Sequence, residues 1–131
     1  MGRPVMKPGY LLDSVILIDH LRGVGPASEW LDKLKEGEAV ISVITRAEVL
    51  SGGTADEALH ARRLCDKFEC LPLTGEDATV AAEMRRERHG KLPDALQAAA
   101  AKRRGLKLVT RDARGFDEKK EPFVVVPYRL A

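Results

Sequence analysis

The stretch LPDALQAAAAKRRGLKLVTRD, residues 92–112, decides the fold because it encodes a helix that leads directly into a strand. Pro93 suits the first turn of a helix, and Gly105 suits the residue just past a helix end. The alanine-rich run between them predicts a helix over 95–104, and the apolar residues 106–109 predict a short buried strand.

Two acids, Asp94 and Asp112, stand at the two ends of this unit. In a layered α/β domain, a helix that feeds a strand runs antiparallel to it and carries the chain back across the sheet. The start of the helix and the end of the strand therefore lie at the same edge. Ligands bind such folds at that edge, outside the carboxyl ends of parallel strands. Asp94 and Asp112 thus form a candidate metal site.

The rest of the chain repeats the alternation of strands and helices. Apolar segments bounded by Gly, Pro, Ser or Asp predict strands, and segments with helical spacing between them predict helices. This pattern predicts an α/β domain with a parallel sheet and helices on both faces. The predicted strands are 10–13, 39–42, 70–73, 106–109 and 123–126, and the other predicted helices are 15–21 after Ser14 as cap, 27–35, 45–50, 55–67 and 74–88.

Length and composition indicate one ordinary globular domain over residues 1–131, with residues 1–8 as a flexible leader. The chain is 44% hydrophobic and 32% charged, and its net charge of +2 permits an anionic partner without demanding one. No apolar run is long enough to span a membrane and no secretory signal pattern is visible. We therefore expect a cytoplasmic protein without a membrane partner, in which Cys65 and Cys70 are reduced thiols.

Four acids are predicted to meet at one edge of the sheet. Asp13 ends the first strand, and Glu48 lies about one turn into the helix that leaves the second strand. Asp94 and Asp112 join them by the geometry given above. Each acid alone could be a helix cap, a turn residue or a surface residue. Their joint placement from distant parts of the sequence favours a site, whereas Asp19, Asp77 and Asp117 are interpreted as solvated or capping acids.

Four carboxylates in one cleft repel each other, and a divalent cation relieves that repulsion. Carboxylate oxygens suit Mg²⁺ or Mn²⁺, and Mg²⁺ typically takes one or two protein carboxylates together with water and substrate phosphate. Such an ion can activate water and neutralise charge on a phosphodiester. The sequence shows no Ser/His/Asp set and no Cys/His pair, and its three histidines lack ligand spacing.

Basic residues accompany the predicted site. Arg85 and Arg86 lie in a cluster just upstream of Asp94, and Arg111 adjoins Asp112, while residues 102–104 end the alanine-rich helix. These residues could contact a nucleic-acid phosphate backbone or simply form solvated helix faces. No aromatic residues are interleaved with them, so base recognition is not predicted.

The motifs together resemble the PIN-domain ribonucleases, and among them the VapC-like toxins of prokaryotic toxin–antitoxin pairs. Each segment alone is a weak signal, but the combination of LPDA with LVTRD at this spacing is specific. The matching segments are YLLDSVILIDHLRG (10–23), ISVITRAEVLSGG (41–53), LPLTGEDATVAAEMR (71–85), LPDALQAAAA (92–101) and GLKLVTRDARGF (105–116).

The resemblance implies a three-layer α/β/α PIN-like fold with a central, mostly parallel sheet of four to five strands. It implies an endoribonuclease that depends on Mg²⁺ or Mn²⁺ and hydrolyses RNA phosphodiesters, and a homodimer held by an antitoxin that occludes the active site. The implied catalytic residues are Asp13, Glu48, Asp94 and Asp112. Of these, Asp13 and Asp94 are the implied metal ligands, with Ser14 and Thr110 in support.

The chain departs from the family pattern where the first strand ends. The family usually reads Asp-Thr/Ser-Asn, whereas this chain reads Asp13-Ser14-Val15. An amide that could orient a carboxylate or a water is thus replaced by an apolar side chain. The alternative function is therefore a catalytically weakened module that binds RNA or a protein without cleavage. A third interpretation, a phosphoacceptor domain with Asp13 as the modified residue, lacks a second adjacent acid and an evident partner lysine.

Overall fold

Strands and helices alternate throughout the computed structural model of the protein, which describes residues 7–88, 90–111 and 121–130. The predicted leader (apart from residues 7 and 8), Asp112 and Asp117 lie outside these ranges. The strands are β1 (Tyr10–Leu12), β2 (Ala39–Ser42), β3 (Glu69–Leu71), β4 (Lys107–Val109) and β5 (Val124–Val125). The helices are α1 (Ser14–Leu21), α2 (Gly25–Asp32), α3 (Val43–Ser51), α4 (Ala55–Cys65), α5 (Gly75–Arg88) and α6 (Leu92–Arg103).

All five strands pair in parallel in the order β3-β2-β1-β4-β5. The central strand β1 aligns Leu11 with Val40 of β2 on one side and with Leu108 of β4 on the other. The chain builds β2 and β3 on one side of β1 and then crosses over to place β4 on the opposite side. The strand order therefore reverses between β1 and β4, and the carboxyl ends of these two strands border the crevice where such sheets bind ligands.

The sheet separates two hydrophobic clusters because successive strand residues point to opposite faces. Leu12, Ile41 and Val109 face a cluster that includes residues of α1, α3 and α4. Leu11 and Leu108 face a second cluster, which includes the alanines of α6. The three-layer α/β/α fold expected from the sequence is thereby confirmed.

Helix α6 packs against other elements on two sides, and on both sides it does so through its own small residues. Its residues 98–101 are all alanine and all fully buried, and they lie between the sheet and α5. Alanine side chains allow helix and sheet backbones to approach closely, since they add little volume. Gly105 then turns the chain with a positive φ of 68°, a conformation that costs glycine little.

Several helix ends differ from the predicted ones. Asp13, rather than Ser14, caps α1, and its side chain accepts a hydrogen bond from the Ser14 amide. Ser42 caps α3, which therefore begins at Val43 instead of Thr45. The predicted helix 27–35 starts earlier because a proline occupies its first turn.

Within the described part of the chain, no helix has both the length and the apolar character needed to cross a membrane.

Asp77 fastens the start of α5 to the end of α6. Its side chain is fully buried, accepts a hydrogen bond from the Thr74 amide and accepts further bonds from Arg103 and Arg104. The Arg104 guanidinium holds the pKa of the Asp77 carboxyl well below its usual range. The interpretation of Asp77 as a solvated acid is wrong, although it does cap a helix. Arg103 and Arg104 serve this junction, which accounts for part of the basic cluster at residues 102–104.

We expect Asp77→Asn to destabilise the protein by about 2 kcal/mol at pH 7, because two guanidinium groups then lose a buried carboxylate partner. A carboxyl group with a lowered pKa contributes its stability above about pH 4 and loses it as the pH falls further. The difference between the variant and the wild type should therefore shrink at pH 3. Urea unfolding at both pH values measures it.

Glu76→Gln is the matched control, because Glu76 pairs with Arg103 at the surface with 80% of its side chain exposed. Exposed ion pairs contribute little, so this variant should unfold within about 0.5 kcal/mol of the wild type. An equal loss in both variants would contradict the assignment of the junction to Asp77.

Candidate active site

Asp13 lies at the point where the strand order reverses, and both of its carboxylate oxygens are held. Its Oδ1 accepts a hydrogen bond from the Ser14 amide at 2.8 Å, and its Oδ2 accepts one from the Thr110 hydroxyl at 2.8 Å. The Asp13 amide also donates to the Val109 carbonyl at 2.9 Å. The ends of β1 and β4 are thus joined through this one residue. Thr110 lies where the sequence placed it, and Ser14 acts through its backbone.

Glu48 and Asp94 approach Asp13 closely enough to alter its ionisation. Burial is the main cause that raises the pKa of Asp13 to about 6. Repulsion from Asp94 and Glu48 raises it further, while the hydrogen bonds from Thr110 and Ser14 oppose the rise. Asp94 occupies the first turn of α6, as predicted. Two of the predicted acids thus act electrostatically on a third, Asp13, and the fourth, Asp112, lies outside the described residues.

The acids suit a hard cation held by few protein ligands. Within the described ranges, no three His, Cys, Asp or Glu side chains form a ready-made metal cluster. Two carboxylates, those of Asp13 and Asp94, match the small number that Mg²⁺ usually takes from a protein, with water completing its shell. A cation bound between these groups would also offset the repulsion that Asp94 and Glu48 add to the effect of burial on the pKa of Asp13.

A buried hydrogen-bond cluster beside the acids was not predicted. Ser42, Thr45 and Gln97 are almost completely buried, and they come from β2, α3 and α6. The Ser42 hydroxyl donates to Gln97 Oε1 at 2.6 Å, and the Thr45 hydroxyl donates to the Leu12 carbonyl at 2.9 Å. The available signal was the single amide in an alanine-rich helix, three residues after Asp94.

A second unpredicted group surrounds Asp19, which is buried rather than solvated. Arg111 donates to both of its oxygens, at 2.6 and 3.1 Å, and the Tyr128 hydroxyl donates at 2.9 Å. Burial raises the pKa of Asp19, but these hydrogen bonds outweigh it and hold the pKa below its usual value. Arg111, the residue immediately before Asp112, is thus tied to α1. The predicted contact of Arg111 with a phosphate stays a prediction. The guanidinium of Arg111 already binds the Asp19 carboxylate.

Arg85 and Arg86 remain available at the surface. Both side chains are exposed on α5, and Arg85 Nε donates to the Gly90 carbonyl at 3.1 Å. Gly90 and Leu92 share an open cavity with the two arginines, directly before the turn of α6 that carries Asp94. Their predicted contact with an RNA backbone is therefore compatible with the fold.

The metal-free protein should lose stability as the pH rises through about 6. A carboxyl group whose pKa is raised contributes stability that is present below about pH 4 and lost above its folded-state pKa. The shift corresponds to on the order of 3 kcal/mol. Asparagine caps helices as well as aspartate. In EDTA, Asp13→Asn should therefore be more stable than the wild type at pH 7.5 and equal to it at pH 4. Urea unfolding tests this, and a difference that does not change with pH would contradict it.

Three comparisons place the chain among known proteins. The model of the PIN domain family matches residues 10–122. The chain is 37% identical over 128 residues to Ribonuclease VapC10 of Mycobacterium tuberculosis, which covers 91% of this chain and 96% of that protein.

Solved structures agree with the sequence match. A toxin-antitoxin complex from Klebsiella pneumoniae superposes with a TM-score of 0.83 at 31% identity, over 93% of this chain and all of that one. FitAcB from Neisseria gonorrhoeae superposes with a TM-score of 0.74 at 26% identity, over 90% of this chain and 97% of that one. The chain therefore belongs to the PIN-domain family.

Proposed function

We propose that this protein is a metal-dependent endoribonuclease and the toxin of a toxin–antitoxin pair. The observation that carries the proposal is the repulsion that Glu48 and Asp94 exert on Asp13, which lies at the reversal point of the sheet. Its similarity to a protein named as a ribonuclease, over nearly the whole length of both chains, supports RNA as the substrate.

Asp13 and Asp94 would hold Mg²⁺ or Mn²⁺. The ion would supply an activated water and would neutralise charge on the scissile phosphate. Thr110 and the Ser14 amide each donate a hydrogen bond to one oxygen of Asp13, so that this carboxylate keeps one orientation. A ligand with a fixed orientation binds a cation with little loss of conformational freedom.

Glu48 and Asp112 would complete the acidic pocket. In this assignment the Glu48 carboxylate accepts a hydrogen bond from the attacking water and takes up its proton as the phosphodiester is cleaved. Glu48 suits this role because it lies within electrostatic reach of Asp13 on a different helix from Asp94. Asp112 directly follows Arg111, which the ion pair with Asp19 ties to α1.

An antitoxin would regulate this activity in the cytoplasm, with the toxin as a homodimer. The solved relative from Klebsiella pneumoniae is a toxin-antitoxin complex. A groove between α1, α3 and α4 also supports a protein partner, because it combines apolar side chains with polar and charged ones. The apolar ones are Ile18, Leu21, Val49 and Ala61, and the polar and charged ones are His20, Arg22, Glu48, Glu57 and His60. A peptide bound there would lie against one of the acids of the site and block access to it.

The alternative, a PIN-fold module that binds without cleaving, rests on Val15. In the structure Val15 packs against the hydrophobic core cluster. The orientation that a family asparagine could give to a carboxylate is supplied to Asp13 by Thr110 and the Ser14 amide. The loss of the amide therefore leaves Asp13 held, which favours the catalytic function.

Mn²⁺ should bind the purified, antitoxin-free protein, and Asp94→Asn should abolish both this binding and RNA cleavage. The physical reason is that the variant removes one of two charged ligands from a site that offers few. Isothermal titration of Mn²⁺ and cleavage of a mixed RNA pool measure the two effects. Asp32→Asn, an exposed acid on α2, is the control and should behave as the wild type. If the wild type did not bind Mn²⁺, the result would favour the alternative function, a PIN-fold module that binds without cleaving.

Arg85→Ala/Arg86→Ala should weaken RNA binding and reduce its salt dependence. Each lost phosphate contact lowers the slope of log K against log salt by about 0.7 for a single strand, so we expect a reduction of about 1.4. Fluorescence anisotropy with the inactive Asp94→Asn background, titrated at several salt concentrations, gives the slope. Lys33→Ala/Lys35→Ala removes two charges just before β2, at the opposite edge of the sheet, and should leave the slope unchanged. Equal slopes in both double variants would exclude the arginines from the RNA surface.

A further inference from the structure

A single buried chain of hydrogen bonds links three elements that carry acids. The Ser42 hydroxyl donates to Gln97 Oε1, Gln97 Nε2 donates to the Thr45 hydroxyl at 2.5 Å, and that hydroxyl donates to the Leu12 carbonyl. Ser42 Oγ also accepts bonds from the Ile44 and Thr45 amides, as the cap of α3. Both polar atoms of the Gln97 amide are therefore used, and its orientation is fixed.

Three members of this chain, Leu12, Thr45 and Gln97, each lie close in sequence to one acid of the site. Leu12 immediately precedes Asp13. Thr45 lies three residues before Glu48 on α3, and Gln97 lies three residues after Asp94 on α6. Residues three apart share one face of a helix. The hydrogen bonds therefore join β1, α3 and α6 close to the three acids. They lie one residue from Asp13 and about one helical turn from Glu48 and Asp94.

We propose that Gln97 is a positioning residue of the acidic site, which sets the separation of Asp94 from Asp13 and Glu48 by tying α6 to β1 and α3. The inference rests on the proposed function, because it concerns the same acids. Helix α6 otherwise packs on the sheet through alanines, whose contacts are short and carry no direction. Directed hydrogen bonds add the specific register that such contacts lack.

The test uses substitutions that remove the polar atoms and keep the volume. Gln97→Met retains the shape of the side chain, and Thr45→Val replaces a hydroxyl with a methyl group. Thr45→Ser keeps the hydroxyl and is the conservative partner. Leu64→Ala is the control for lost stability, because Leu64 is buried on α4 and forms no part of the hydrogen-bond chain.

We expect Gln97→Met and Thr45→Val to weaken Mn²⁺ binding by 10–100-fold, the range typical of groups that orient metal ligands. Thr45→Ser and Leu64→Ala should bind Mn²⁺ with wild-type affinity. Isothermal titration gives the affinity. Amide chemical shifts of the metal-free proteins give a second measure: those of Asp13, Glu48 and Asp94 should move in the first two variants and stay in place in the other two.

Wild-type affinity together with unmoved shifts in Gln97→Met would overturn the inference and leave Gln97 a packing residue. The inference would equally fail if Leu64→Ala weakened binding as much, because lost stability would then explain both. If the wild type itself failed to bind Mn²⁺, the proposed function would fail, and the amide shifts of the metal-free proteins would still decide whether Gln97 positions the acids.

Discussion

The candidate site depends on holding one carboxylate, that of Asp13, where burial and neighbouring acids oppose its negative charge. Burial and two acidic neighbours favour its neutral form, while a hydroxyl from the end of β4 and an amide from the start of α1 favour the charged form. The position is tenable because the sheet order brings β1 and β4 side by side, so that Thr110 reaches across to it. Local stability is thereby lower at the position where the proposed cation would bind, and strongly shifted pKa values are common at functional positions.

Two ion-pair junctions and a hydrogen-bond chain surround this point. Asp19 of α1 holds Arg111, which lies two residues after β4, and Asp77 holds the far end of α6. Gln97 ties the near end of α6 to the sheet. The acids are thus carried on elements that are each held by a buried polar contact, so that repulsion between them does not simply push the elements apart.

The sequence was informative wherever position along an element determined the outcome. The end of a strand and the first turn of a helix can be recognised locally, which is why Asp13 and Asp94 were placed at the correct edge. The burial of Asp19 could not be predicted in this way, because its partner Arg111 lies 92 residues away. Gln97 was missed for the same reason, since Ser42 and Thr45 come from another part of the chain. The cap of α1 was misassigned because Asp13 and Ser14 are both good capping residues. In the structure Asp13 has the extended backbone of a cap, and Ser14 is the first residue of the helix.

Helix α6 has a consequence for the variation that the protein can tolerate. From residue 94 to residue 101, every position is either buried or partly buried, and five of these positions are alanine. The neighbouring alanine side chains cannot rotate to make room for a larger one. A larger side chain at any of these alanine positions must therefore displace the helix backbone. The same eight residues therefore specify both the packing of a layer and the location of an acid. Substitutions should be tolerated better on exposed helix surfaces such as that of α4. There Leu59 already faces solvent with 52% of its surface exposed.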